Sequence, residues 1–415
     1  MGITRRIFLK SGAITVAGMA AVPQFLARAA MAASAAPAHK RLVVIFQRGA
    51  ADGLNIVVPH GEAAYYAMRP GIAIPRRDVI DLDGFFGLHP AMSALKPLWD
   101  AKQLAIVHAA GSPDPTRSHF DAQDFMESGT PGVKTTEDGW LNRALAASAA
   151  KTEAAKEDGA FRAVALGTAL PRILSGSAPA LALGNVNDFG VAPRNPQGQP
   201  LANTFESMYA ESVDAVLHGT AQETFDAVKM LKAADPSRYR PAAGVTYPKG
   251  RFADALKQTA QLVKANLGVQ VAFTDIGGWD HHVNEGSSEG QLGNLLKEFS
   301  GSLAAFWLDL GVLAEDTVVV TMSEFGRTAR ENGTRGTDHG HANAMLVMGG
   351  AVRGGRVYGR WPGLEEHQLY EQRDLALTTD FRQVIAEAVA KQLGNPRLER
   401  VFPGFSNPGY LHMLG

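Results

Sequence analysis

The chain has 415 residues, with 40 Lys and Arg against 41 Asp and Glu and a formal net charge of −1. This balance, with no long run of one sign, argues against nucleic acid as a partner. The absence of cysteine excludes disulfides, iron–sulfur clusters and thiolate metal sites, so any metal must sit on His, Asp, Glu or hydroxyl ligands.

In chain order, Arg5-Arg6 followed by Phe8-Leu9-Lys10, a moderately apolar stretch and the small-residue run "ARAAMAASAAPA" read as a twin-arginine export signal. The apolar run is too short and too rich in Gly, Ala and Pro for a good membrane span. Residues 1–36 are therefore expected to be signal, with the twin-arginine translocase as partner during export. The mature protein is expected in the periplasm or outside the cell, with no stable membrane span after cleavage. Residues 37–415 are expected to form a single α/β domain. Apolar runs at 41–47, 103–111, 268–275, 316–324 and 343–350 predict buried strands. Amphipathic stretches at 90–102, 250–267, 292–313 and 380–394 predict helices between them. Strands alternating with helices imply a mostly parallel sheet covered on both faces, a three-layer α/β/α sandwich. Residues 144–250, rich in Ala, Pro and Gly, read as an insertion or cap beside that sheet.

In such sheets functional groups gather beyond the carboxyl ends of the strands. Asp52 follows the first predicted strand, and Thr116, Arg117, Ser118 and His119 follow the second. Asp275, Asp280, His281 and His282 follow the third, Glu324 and Arg327 the fourth, and Asp338, His339 and His341 precede the last. Each group also has a plainer reading. Asp52-Gly53 suits a turn, Ser118-x-x-Asp121 a helix N-cap, His281-His282 a surface loop, and Arg48, Arg117 and Arg327 surface ion pairs. Five such strand ends together argue for one shared site. Carboxylates and neutral imidazoles suit zinc or manganese, and carboxylate corners admit magnesium or calcium. A hydroxyl near such ions becomes a nucleophile at neutral pH, and Arg48, Arg117 and Arg327 could hold the non-bridging oxygens of an ester.

The segments "VVIFQRGAADGLN", "TRSHFDAQDFMESG", "TDIGGWDHH", "VVVTMSEFGRT" and "GTDHGHANAMLVMGG", with the twin-arginine start, together resemble the bacterial family called domain of unknown function 1501. That family is similar in turn to the alkaline phosphatase and sulfatase superfamily. The resemblance covers nearly the whole mature chain. It implies an alkaline phosphatase-like α/β/α fold and an exported, metal-dependent hydrolase of a phosphate or sulfate ester, on a small-molecule or glycan substrate. By position it makes Asp52 a metal carboxylate and Ser118 the nucleophile, with Thr116 as the fallback. Asp275 or Asp280, with His281 or His282 and with His339 or His341, would hold one divalent metal. Glu324 stands where the superfamily has Asp, and Phe325 where it has His. The departure is compatible with a single-metal enzyme, an oxygen-rich second site or lost activity. A non-catalytic extracytoplasmic binding or assembly protein, and a metal-assisted hydrolase of another ester, are the alternatives.

Overall fold

The computed structural model describes residues 40–149, 161–186 and 238–415. Strand β1 (Arg41–Gln47) is buried at all seven positions. Its alternate residues serve two cores: Val43 and Ile45 enter one, and Leu42, Val44 and Phe46 the other. A strand covered on both faces needs apolar side chains at odd and even positions alike, so it reads as a continuous run. Strands β2 (Leu104–Gly111), β3 (Ala163–Leu166), β4 (Leu181–Leu183), β5 (Val271–Ile276), β6 (Thr317–Met322), β7 (Asn343–Gly349), β8 (Arg356–Tyr358) and β9 (Thr379–Asp380) complete the sheet. Its order is β8-β2-β7-β6-β1-β5-β3-β4, with β9 also paired to β2. Only β7 runs antiparallel to its neighbours; the other pairings are parallel.

Helices cover both faces. Helices α3 (Arg251–Lys264) and α4 (Gln291–Leu310) supply Leu256, Phe299, Leu303 and Phe306 to the first core. Helices α2 (Trp140–Ala149) and α5 (Phe381–Lys391) supply Trp140, Leu141, Val384 and Ile385 to the second. The result is the expected three-layer α/β/α sandwich with a mostly parallel sheet.

Two expectations are revised. The stretch 90–102 does not form one helix: a 3-10 segment (Pro90–Leu95) with non-helical Met92 gives way to a short helix (Lys96–Asp100). Pro97 at its start has no N–H to continue a hydrogen-bond ladder from the preceding turn. Part of the 144–250 region is sheet and not cap, since β3 and β4 extend the main sheet beyond β5. The remainder of that region, 150–160 and 187–237, lies outside the described residues, as does the expected signal at 1–36. Among the described residues no helix is long and apolar enough to cross a membrane.

The topology decides where loops can meet. Strands β1, β2, β5 and β6 are mutually parallel, so their carboxyl ends share one edge of the sheet. Because β7 runs the other way, its beginning lies at that same edge. A group after β2, β5 or β6 and a group before β7 are thereby brought together.

Candidate metal centre

Helix α1 (His119–Ser128) follows β2 and begins with His119, capped by Ser118, whose hydroxyl accepts from the Asp121 N–H at 3.5 Å. The loop after β5 carries Asp280 and His282. The segment between β6 and β7 folds back on itself through a bridge between Arg327 and His339. Gly340 permits that bridge: a Cβ there would lie 2.3 Å from the Arg327 carbonyl. Gly49, just past β1, has φ +117° and approaches the other loop closely, since a Cβ on it would meet the Asp280 nitrogen at 3.0 Å.

Three imidazoles and one carboxylate converge here. His339 Nε2 lies 3.1 Å from His119 Nε2, 3.0 Å from His282 Nε2 and 3.2 Å from Asp280 Oδ1. Asp280 Oδ1 is 2.9 Å from His282 Nε2, and its Oδ2 is 3.4 Å from His119 Nε2. Each ring is held from behind through its other nitrogen. His119 Nδ1 meets Glu324 Oε1 at 2.8 Å, His282 Nδ1 meets Asp338 Oδ1 at 3.0 Å, and His339 Nδ1 meets the Arg117 carbonyl at 2.9 Å. An oxygen acceptor at Nδ1 fixes the proton there and leaves the Nε2 lone pair facing inward.

The His339 Nε2 lone pair faces those of His119 and His282 at about 3 Å, and such pairs repel unless a proton or a cation sits between them. A tetrahedral ion with bonds of about 2.0–2.1 Å has ligand–ligand edges of roughly 3.4 Å. The spacings of 2.9–3.4 Å are near that value, and His119, Asp280 and His339 form the group of potential metal ligands within 4.8 Å of one another. Two imidazole nitrogens with one carboxylate oxygen, and a third imidazole beside His339, each ring oriented by an oxygen, suit a zinc-type or manganese-type ion.

Electrostatics favour the ligand forms of Asp280 and His339 and the protonated form of His119. Partial burial opposes ionisation of Asp280, but the hydrogen bond and charge of Arg327 outweigh it and hold the carboxyl below its usual range. Arg327 Nη1 donates to Asp280 Oδ1 at 2.6 Å, from a side chain with no exposure. Burial also works against Glu324, yet hydrogen bonds from His119, Gln123 and the Gly49 N–H keep it ionised. Burial depresses His339, favouring its neutral form, while Glu324 raises His119.

A family model described as "Protein of unknown function (DUF1501)" matches residues 39–397. This chain belongs to the DUF1501 family. No curated protein matches it. Among solved structures, the DUF1501 chain is similar to an alkaline phosphatase superfamily protein from Vibrio parahaemolyticus, at 12% identity and TM-score 0.32, covering 77% of this chain and 62% of that one. It is similar to the lipoteichoic acid synthase LtaP from Listeria monocytogenes, at 11% identity and TM-score 0.31, covering 75% and 65%. It is also similar to the C-terminal periplasmic domain of EptC from Escherichia coli, determined as a complex with Zn, at 10% identity and TM-score 0.33, covering 75% and 73%. The chain thus spans less than two thirds of the first two, and likenesses this distant assign no activity.

The expected site residues of this DUF1501 chain divide among several places. Asp280, His282 and His339 come together, and His119 joins them. Its place beyond β2 is visible in the sequence, but the cap pattern S-x-x-D marks Ser118 and gives no direction for the His119 ring. Ser118 is exposed, and among the described residues no base accepts a hydrogen bond from its hydroxyl. Glu324, expected as a ligand, stands behind His119 and orients it. Phe325 packs its ring 5.0 Å from both His119 and His339, walling the site where a histidine was expected.

The other expected ligands lie elsewhere. Asp52 is buried and paired through both oxygens with Arg69; a carboxylate out of water takes the nearest guanidinium. Asp275 points to Arg48 at 2.7 Å and Arg251 at 3.3 Å. Its side chain leaves the strand one residue before the chain turns, so it serves the sheet face and not the loop. His281 is buried while His282 reaches the cluster, on a turn closed by hydrogen bonds from the His281 N–H to Trp279 and from the His282 N–H to Asp280. His341 stacks on Tyr370 with ring centres 4.3 Å apart. The three arginines expected to hold ester oxygens are all engaged by carboxylates. Arg48 pairs with Glu127 and Asp275, Arg117 with Asp374 and Glu371, and Arg327 with Asp280.

Proposed function

We propose that this DUF1501 protein is an exported, divalent-metal-dependent hydrolase of a phosphate or sulfate ester. The observation that carries the metal is the convergence of His119, Asp280 and His339, whose ligand atoms lie 3.1–3.4 Å apart, with the His282 Nε2 3.0 Å from that of His339 and each ring held at Nδ1 by an oxygen. His119, His282, His339 and Asp280 would hold the ion. When bound, it supplies Lewis acidity that polarises an ester oxygen and acidifies a neighbouring hydroxyl. The ester class rests on the resemblance of the strand-end segments, and export on the signal read in residues 1–36.

Within this reading Ser118 attacks phosphorus or sulfur, forming a serine ester while the leaving alkoxide takes a proton from solvent. Water then cleaves that ester and restores the hydroxyl. Ser118 stands at the positive end of α1 and one residue before a metal ligand, which supports the assignment. A second reading, an uncharged carboxylic ester, is favoured by the pairing of Arg48, Arg117 and Arg327, which leaves none of them free for anionic oxygens.

The exported protein, purified in zinc or manganese, should carry roughly one ion per chain by mass spectrometry. His339→Ala and Asp280→Ala should lose it. Aryl phosphate, aryl sulfate and aryl acetate then separate the ester classes, and Ser118→Ala should abolish turnover while keeping the ion. A metal-loaded protein inert toward all three esters would favour a binding or assembly role. A protein that takes up no ion from saturating zinc or manganese would overturn the metal-dependent reading altogether.

A further inference from the structure

Beside the ligand cluster lies a second cavity, of about 370 Å³, at the small end of ligand-sized pockets. It shares two walls with the site. Asp338, which orients His282, lines it, and so does Arg373, whose guanidinium donates to the His339 carbonyl at 2.9 Å. The cavity is therefore contiguous with the shell that holds two of the proposed ligands.

The remaining wall groups say what would fit. Glu331 accepts from the Gly71 and Ile72 N–H groups at 2.7 and 2.9 Å, both through Oε2. Arg330, Glu366 and Gln372 are exposed and have no side-chain partner among the described residues. Glu371 and Gln372 have φ of +50° and +56°, a left-handed pair that ordinary residues avoid. That turn sends Glu371 to Arg117 and leaves Gln372 on the cavity wall. The free groups thus comprise a guanidinium, a carboxylate and an amide, with Met68 and Leu369 as apolar lining. An anion alone would be repelled by Glu366, and a cation by Arg330. A ring bearing several hydroxyls satisfies all of them, since each hydroxyl both donates and accepts and the C–H face suits Met68 and Leu369.

We infer that this cavity is a subsite for a neutral sugar ring, so that the ester cleaved at the adjacent centre is carried on a glycan. The inference rests on the hydrolase reading for its purpose, but the subsite can be tested without turnover.

The probes are methyl glucoside, methyl galactoside and methyl N-acetylglucosaminide, with methyl glucuronide as the anionic control, titrated by ligand-observed NMR. At least one neutral glycoside should bind the wild type. Arg330→Ala and Glu366→Ala should each weaken it about tenfold, the loss of one charge-assisted hydrogen bond. Both residues are exposed, so the variants should keep the wild-type circular dichroism spectrum. Binding should survive in His339→Ala, which separates the subsite from the metal. If no neutral glycoside binds, or if binding ignores both substitutions, the sugar subsite is wrong while the metal measurements stand. Binding of the glucuronide alone, strengthened by Glu366→Ala, would replace it with an anion subsite. Failure of the wild type to take up zinc or manganese, with glycoside binding intact, would sink the hydrolase and keep the subsite.

Discussion

Asp52 and Glu285 are almost wholly buried and bonded to one another beside a single guanidinium, that of Arg69. One cation cannot neutralise two carboxylates away from water, so the pair divides its roles. Burial disfavours both charged forms, but the charge and hydrogen bonds of Arg69 hold Asp52 ionised. Burial and the Asp52 charge push Glu285 well above its ordinary range, so it stays protonated. Glu285 also accepts from Thr337, which in turn accepts from Arg327, the residue that grips Asp280. This chain ties the buried pair to Asp280 in the candidate metal centre. Glu285→Gln replaces a neutral acid with a neutral amide and should change unfolding stability by less than about 1 kcal/mol near pH 4, where the unfolded glutamate is largely protonated too. Asp52→Asn strands the Arg69 charge and should cost about 3–5 kcal/mol. The pH dependence has a defined sign. A group with a raised folded pKa stabilises fully below its unfolded value, near pH 4.3 for glutamate, and that contribution disappears as pH rises through the folded value. Urea unfolding should therefore show the wild-type advantage over Glu285→Gln shrinking as pH rises above that point. A constant difference across pH would mean that Glu285 is ionised in the fold.

Helix α1 joins two roles that the sequence pattern could not separate. "SHFD" was legible as a cap followed by a helix, and the helix is there. The pattern carried no direction for the His119 ring, because that is set by Glu324, 205 residues away. The same limit explains Asp52: its partner Arg69 belongs to the short stretch 63–69, where no periodicity marked a function. Strands were legible because burial on both faces writes itself into consecutive residues, as in β1, β6 and β7. Loop partners were not, because a salt bridge leaves no periodicity. The two roles of α1 can be separated by substitution. Ser118→Ala should lose about 1 kcal/mol of stability through the cap and keep its zinc affinity, since His119 is untouched. Ser118→Asp restores a cap acceptor at the positive helix end without the hydroxyl. It should recover the stability and remain without ester turnover. Turnover by Ser118→Asp equal to wild type would remove Ser118 as nucleophile and leave the cap as its role.

At the scale of the whole molecule, the converging side chains come from sequence positions 119, 280, 282 and 339, on segments brought to one edge of the sheet and bonded to one another there. The arrangement depends on β7 running antiparallel, which the sequence-level expectation of a mostly parallel sheet did not specify. Had β7 been parallel, His339 would precede it at the opposite edge. An ion at this point cross-links α1, the loop after β5 and the segment before β7, and it binds the folded chain alone. At a hundred times its dissociation constant it should add about 2.7 kcal/mol of stability. For a chain of this size that corresponds to a Tm rise of roughly 3 °C. Scanning calorimetry at one heating rate, with zinc or with chelator, should show that difference in the wild type. Asp280→Ala should show almost none, while Glu285→Gln, which keeps every ligand, should show it in full. Equal Tm values for the wild type with saturating zinc and after verified metal removal would mean that the four side chains meet for structural reasons. In that case Glu324, Asp338 and Arg327 would be completing a buried polar network instead of orienting ligands.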